Sequence, residues 1–384
     1  MVIVADISDL YSGGGISLFN SLRYLKGRIE FVVLTKRGTL FSALISYGID
    51  VYVVDCRSKY DVFFVKKVLR LLKNMCCDSY VVTHSERTSV LLNPFLYLFG
   101  YSVITVIHRS LLMGSPWESR VKGAIHLFAE TFVLKYCTNL IVPVSQSMAN
   151  ELIDVRGIHS SKVHVVENCV DVESLLIRSC EKRNNTIFPV FSDTSDYFTI
   201  LSILRFDFVK GVDFFSSDTF MNFLDELYAI IGMRIRVVLL GDGRLLNTIK
   251  SKLSLCEKKY VNFSLPGNVT NVSDYLAYSD LYFQPSRSEA YGLSVVEASL
   301  YDVPIIVNKL PVFEEVLYGY KKSIHLSLFD ELDVKDLVAQ LQKLGLNKNI
   351  ESIKPSYSGW DWYPHSCEDK ARKFISLIDR HSFS

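Results

Sequence analysis

Glu289 and Glu297 flank the run Ala290-Tyr291-Gly292-Leu293-Ser294-Val295-Val296, an arrangement suited to a ligand rich in hydroxyls and phosphate. Carboxylates accept paired sugar hydroxyls well. From Leu293 the apolar spacing is helical, so the first amides of that helix are free and, with its dipole, make an anion site. Gly292 lets backbone approach a ligand closely. The Glu-x7-Glu spacing alone carries little, since on the order of one such pair arises by chance in a chain of this kind. Glu173 and Glu181 share it and are assigned no role. Context separates the two pairs: Pro285-Ser286 follows an apolar run, Tyr291-Gly292-Leu293 follows Glu289, and Ala298 follows Glu297.

A second group is cationic. Arg205 and Lys210 lie five residues apart in Ile203-Leu204-Arg205-Phe206-Asp207-Phe208-Val209-Lys210-Gly211-Val212, just past another apolar run. Two fixed cations there suit a diphosphate, each charge-assisted hydrogen bond contributing about 1.5–3 kcal/mol. The ordinary alternative is two solvated surface cations. Further candidates are Gly13, Gly14 and Gly15, after the first apolar run, where glycine allows close approach to a phosphate or sugar. The plain alternative there is a flexible turn. His108 and His84 each end an apolar run. A lone histidine in that place is more often structural, and His108 is the one favoured for function. Gly241-Asp242-Gly243 is by itself simply a good turn.

The elements needed to position these groups recur along the chain. Short β-branched runs at 2–5, 31–34, 51–54, 80–82, 103–107, 140–144 and 163–166 read as buried parallel strands, with helical stretches such as 63–75 and 124–136 between them. A second series follows at 199–204, 237–240, 261–263, 281–283, 304–307 and 323–326. This alternation predicts an α/β chain of two consecutive Rossmann-like, doubly wound domains facing each other across a cleft. The domains are placed at 1–175 and 198–357, with a polar, turn-rich linker at 176–197. A terminal helix at about 366–384 is free to dock back on the first domain. The apolar stretch 91–107 is no membrane span, because Asn93, Pro94 and Gly100 interrupt it. The helix 63–75 carries Lys66, Lys67, Arg70 and Lys73. Its ordinary reading is a surface helix burying its apolar side, and the sharper one is a membrane-surface face.

These motifs, in this order, resemble family 4 retaining glycosyltransferases with the GT-B fold. The family's donor signature is Pro-Ser, then Glu-Gly-Phe-Gly, then Glu-Ala; here Ala290 and Tyr291 replace the Gly and the Phe. The resemblance implies that Glu289 contacts the donor sugar hydroxyls, that Glu297 holds the ribose diol, and that Leu293 and Ser294 sit at the diphosphate. Arg205 and Lys210 match the Arg-x4-Lys-Gly pattern that neutralises the leaving diphosphate, with Leu204 where the family has a Gly. Asn268 and Val269 fall where the backbone meets the base, and His108 where a histidine lies beside the reacting sugar carbon. Gly13, Gly14 and Gly15 match the family's Gly-Gly loop. Cys169 replaces the Gly of an Asn-Gly-Val-Asp landmark.

The implied activity is transfer of a hexose-type sugar from a nucleotide diphosphate sugar to a glycan or lipid-linked glycan, in surface polysaccharide biosynthesis. No cofactor and no metal are expected, because the chain has no Asp-x-Asp and the two cations can replace a metal. Neither a P-loop nor a Gly-x-Ser-x-Gly elbow is present. A net charge of +1 argues against nucleic acid as a partner. The eight cysteines include no Cys-x-x-Cys, and no basic leader precedes Val2, so a reduced, cytoplasmic protein is expected. Peripheral contact with the inner face of a membrane is compatible with this. A nucleotide-sugar epimerase or hydrolase, a non-catalytic glycan-binding protein and, remotely, a nicotinamide dehydrogenase remain as alternatives.

Overall fold

The computed structural model describes residues 1–10, 13–55, 61–75, 80–84, 86–109, 120–173, 175, 197–256, 258–329, 332–344 and 363–381. The linker reading at 176–196, Ser12, Cys56, Cys76, Cys77, Cys180, Trp360 and Trp362 lie outside these. The chain forms two compact units, one of Met1–Val170 with Tyr363–Ser384, the other of Asp171–Trp362.

In the first unit six strands alternate with helices: β1 (Val2–Ala5), α1 (Gly13–Leu25), β2 (Val32–Thr35), α2 (Thr39–Ser46), β3 (Val51–Val53), α3 (Val62–Asn74), β4 (Val81–His84), α4 (Glu86–Leu98), β5 (Val103–Ile107), α5 (Arg120–Tyr136) and β6 (Leu140–Pro143). The sheet is wholly parallel, in the order β3-β2-β1-β4-β5-β6. That is the doubly wound order, whose direction reverses between β1 and β4. Continuous β-branched runs suit strands covered on both faces; Val2, Val4, Val81 and Val103 pack against Phe64, Val68, Leu72 and Leu92. The apolar stretch after Asn93 ends α4, turns at Gly100 (φ 80°) and enters β5. No helix among the described residues is long and apolar enough to cross a membrane.

The expected strand at 163–166 does not form. Only Val163 bridges β6, opposite Ile141. The amides of His164 and Val166 donate to the carbonyls of Ile141 and Pro143. The returning bond of the next pair would need an N–H on Pro143, which proline lacks, so the ladder stops after one rung.

The second unit repeats the plan. Its elements are β7 (Tyr197–Ile203), α6 (Asp218–Ile231), β8 (Arg234–Leu240), α7 (Leu246–Leu253), β9 (Val261–Gly267), α8 (Val272–Ala277), β10 (Leu281–Gln284), α9 (Leu293–Leu300), β11 (Ile305–Asn308), α10 (Pro311–Val316), β12 (Ser323–Leu326) and α11 (Val334–Lys343). The parallel order β12-β11-β10-β7-β8-β9 puts the switch point between β10 and β7. The core is aromatic, with Phe214, Phe215, Phe220 and Phe223 gathered around Phe283 of β10. The last helix, α12 (Cys367–His381), belongs to the first unit and lies on α1. It buries Ala371, Phe374 and Leu377 at helical spacing.

Candidate functional site

The loops after β7 and β10, neighbours at the switch point, carry the candidate residues Lys210 and Glu289 of the second unit. Lys210 Nζ lies 2.7 Å from Glu289 Oε2, and both side chains are largely buried. The other oxygen of Glu289 accepts from Ser286 Oγ (2.9 Å). Behind it runs a relay: Gln284 Nε2 donates to Ser286 Oγ (2.9 Å), and the buried Tyr282 hydroxyl donates to Gln284 Oε1 (3.0 Å). Both oxygens of Glu289 are therefore occupied, and the carboxylate is fixed from the strand outward.

The two loops are laced together by Arg287. Its guanidinium makes two parallel bonds to Asp213 (2.6 and 2.8 Å) and a third to the carbonyl of Phe208 (2.9 Å). It also stacks between the rings of Phe208 and Phe329, at 3.9 and 3.7 Å from their centroids. The amide of Arg287 donates to the carbonyl of Val209 (2.8 Å), next to Lys210. Gly211, at φ 69°, completes the join: a Cβ there would stand 2.0 Å from the carbonyl oxygen of Pro285. Sequence reasoning missed Arg287, whose partners lie 74 and 79 residues away. The one signal available was an arginine inside an otherwise recognised loop.

Arg205 is more open, with its side chain 66% exposed and paired to Asp207. Asp207 also accepts from the amide of Lys210 (3.0 Å), capping the turn Phe208–Lys210. α9 begins directly after Gly292, which has φ 86°. The space a Cβ would fill is taken by the ring of Phe313, 2.7 Å away, so this glycine seats the helix start against α10. The amides of Leu293 and Ser294 have no main-chain partner among the described residues and remain available to an acceptor. Tyr291 is buried at 2% exposure and shapes the loop from within.

Glu297 sits in the second turn of α9, partly buried. Among the described residues its carboxylate meets no hydrogen-bond donor and no cation. Exclusion of water pushes its pKa up to about 7. Asn268 and Val269 follow β9, two strands along from β7. Between them lies the Gly241 turn, whose amide donates to the carbonyl of Gly267 (2.9 Å). Sheet order thus lines up Glu289, Lys210, Gly241 and Asn268 along one carboxyl edge.

The first unit presents a separate cluster. Gly13, Gly14 and Gly15 form the opening turn of α1 rather than a loop before it, and among the described residues nothing beyond the helix's own backbone lies within 4 Å of where a Cβ on Gly13 would stand. His84 ends β4 and His108 follows β5. Their rings stack 5.3 Å apart, with Nδ1 of His84 3.1 Å from Nε2 of His108. Among the described residues, the buried Nδ1 of His108 meets no hydrogen-bond partner. From α12, the buried Lys370 reaches Ser17 Oγ (2.8 Å) and Asn168 Oδ1 (3.1 Å), and lines a small cavity with His84. Burial, then the Lys370 charge, lowers the pKa of His108 to about 3. His84 is lowered too, by burial, His108 and Lys370. Both imidazoles are neutral at pH 7, which suits hydrogen bonding rather than charge. No cluster of metal-ligating side chains occurs among the described residues.

Comparison with known proteins agrees with this architecture. The family "Glycosyltransferase Family 4" matches residues 11–174, and "Glycosyl transferases group 1" matches residues 184–355. The chain belongs to the family 4 glycosyltransferases. It is 23% identical over 370 residues to the Staphylococcus aureus capsular polysaccharide biosynthesis glycosyltransferase CapH, covering 93% of this chain and 94% of that one. An uncharacterized 41.2 kDa protein in the Klebsiella pneumoniae cps region is 26% identical over 56% of this chain, a match that spans only about half (55%) of the relative. Anabaena Alr3699/HepE, solved in complex with UDP-glucose, superposes with TM-score 0.75 over 99% of both chains at 14% identity. That likeness establishes GT-B as the fold of this glycosyltransferase.

Proposed function

We infer that this glycosyltransferase moves a hexose-type sugar from a nucleotide diphosphate donor to a glycan or lipid-linked glycan, with retention and without a metal, in cytoplasmic assembly of a surface polysaccharide. The observation that carries the reading is the Lys210–Glu289 pair beside the free amides of α9, with the unpartnered Glu297 one turn behind. On this reading the diphosphate takes Lys210, Arg205 and the Leu293 and Ser294 amides. Glu289 orients sugar hydroxyls, Glu297 accepts the ribose diol, and the backbone at Asn268 and Val269 meets the base. Gly292 and the buried Tyr291 hold the shape of the loop between them. His108 and the Gly13–Gly15 turn keep the roles that the family resemblance gives them.

As the bond from the anomeric carbon to the diphosphate oxygen breaks, negative charge grows on the leaving group. Cations and amides already in place stabilise it without reorganisation, and this is expected to be the largest catalytic contribution. The acceptor hydroxyl forms the new bond on the same face and passes its proton to the departing diphosphate. Both oxygens of Glu289 are engaged by Lys210 and Ser286, which favours this route over covalent attack by that carboxylate. The test is product analysis with a panel of nucleotide sugars, with and without acceptor, in the presence of a chelator. A glycoside of retained anomeric configuration formed only with acceptor supports the reading. Epimerised or merely hydrolysed donor replaces it with the corresponding alternative.

A further inference from the structure

We propose that His84 and Lys370 are positioning residues that fix the tautomer of His108, so that His108 holds its proton on Nδ1 and presents a hydrogen-bond donor, not a base. His84 closes β4 and His108 follows the adjacent strand β5, at the carboxyl edge where ligands bind in such sheets. The two rings lie 23° from parallel and are offset, with Nδ1 of His84 3.1 Å from Nε2 of His108. One of these nitrogens must carry the shared proton, since two lone pairs do not bond. A neutral imidazole has one donor and one acceptor, so the direction of this bond decides what the other nitrogen of His108 offers. That nitrogen is the buried Nδ1, which no other described residue uses.

The direction is set from α12. Lys370 is buried, and its ammonium donates to Ser17 Oγ (2.8 Å) and Asn168 Oδ1 (3.1 Å). Among the described residues it pairs with no carboxylate. Lys370 and His84 line one cavity of about 30 Å³, whose other lining is apolar apart from Ser21. Such a space holds a single water. Nδ1 of His84 is taken by His108, so Nε2 is the nitrogen left to meet Lys370, directly or through that water. A nearby cation in a low-dielectric interior favours the tautomer that turns a lone pair toward it. His84 then carries its proton on Nδ1 and donates to Nε2 of His108, which leaves the proton of His108 on Nδ1. The Lys370 charge acts on both rings and opposes a second proton on either. His108 therefore keeps no lone pair to serve as a base. Its Nδ1–H suits an oxygen of a sugar, and the neutral ring adds no positive charge beside a carbon on which positive charge grows. This last consequence rests on the proposed function; the tautomer does not.

The experiment reads the tautomers directly, by long-range proton–nitrogen NMR of the nitrogen-15-labelled full chain at neutral pH with no ligand. The two rings are assigned by the signals lost in His84→Asn and His108→Gln. The expected result is two neutral imidazoles, each protonated on Nδ1, with this pattern lost for both in Lys370→Met. His108 protonated on Nε2, or on both nitrogens, overturns the proposal. So does a pattern unchanged in a folded Lys370→Met variant. His84→Asn and His84→Asp keep the test open should Lys370→Met fail to fold. The asparagine amide can still donate to Nε2 of His108, whereas the aspartate can only accept and should move the proton of His108 to Nε2. Sugar transfer is then measured with both. The asparagine variant should stay near wild-type kcat, and the aspartate variant should fall by roughly tenfold or more, with donor KM little changed. Equal turnover despite opposite tautomers would overturn the role given to the His108 proton. Wild type that shows the expected tautomers but transfers no sugar counts against the proposed function alone.

Discussion

Lys210 and Glu289, 79 residues apart, form an ion pair of 2.7 Å between the loops that follow two adjacent strands. Neither loop alone makes a site. The pair exists because β7 and β10 are neighbours at the point where strand order reverses, and because Arg287 holds the two loops in register.

Replacement of Lys210 by alanine is expected to lower kcat by about 10²–10³, with a small change in melting temperature. The lysine is in contact with solvent, and Ser286 still holds Glu289. Steady-state kinetics beside a thermal melt check this; near wild-type turnover would remove the phosphate role.

Glu297 gives a pH signature. A carboxyl with its pKa raised to about 7 is largely protonated below neutrality, and only the ionised form accepts both hydroxyls of a diol. Nucleotide affinity should rise as pH passes upward through 7, and Glu297→Gln should flatten that dependence. Folding runs the other way: stability from the buried neutral acid is present at low pH and is lost as pH rises through about 7. Glu297→Gln should therefore melt higher than wild type at pH 8.5, a comparison open to calorimetry.

Arg287→Lys tests the lacing of the loops. Lysine keeps the charge but loses the forked bond to Asp213 and the stack between Phe208 and Phe329. We expect a stability loss of about 1–3 kcal/mol and a fall in kcat larger than any change in donor KM, because the arginine positions Lys210 rather than touching donor. Unfolding curves and a split of kcat from KM decide it.

His84 and His108 make the first unit acid-sensitive. Their folded pKa values lie below the unfolded value of about 6.5. The unfolded chain thus binds more protons as pH falls from 6.5 toward 3, and stability declines across that window. His84→Gln should shallow the decline, as followed by melting temperature against pH.

The sheets were legible because their strands are uninterrupted β-branched runs, a pattern that needs cover on both faces. The segment 163–166 has the same composition and fails for a reason held by its neighbour, the missing N–H of Pro143. Lys210 and Glu289, which the fold brings into an ion pair, were legible as candidates because their charges fall beside glycine and proline in loops that follow strands. What stayed hidden were contacts made through the fold. Lys370 meets Ser17 across 353 residues of chain, and Arg287 finds two aromatic rings that nothing in its own segment announces.

The central claim is a nucleoside diphosphate site in the second unit, and calorimetric titration of the whole chain tests it most directly. UDP, GDP, ADP and TDP would be titrated with and without magnesium, against wild type and Glu297→Ala. The account predicts binding of one nucleoside diphosphate, unchanged by magnesium and lost in the variant. Binding of none, or binding unaffected by Glu297→Ala, would contradict it.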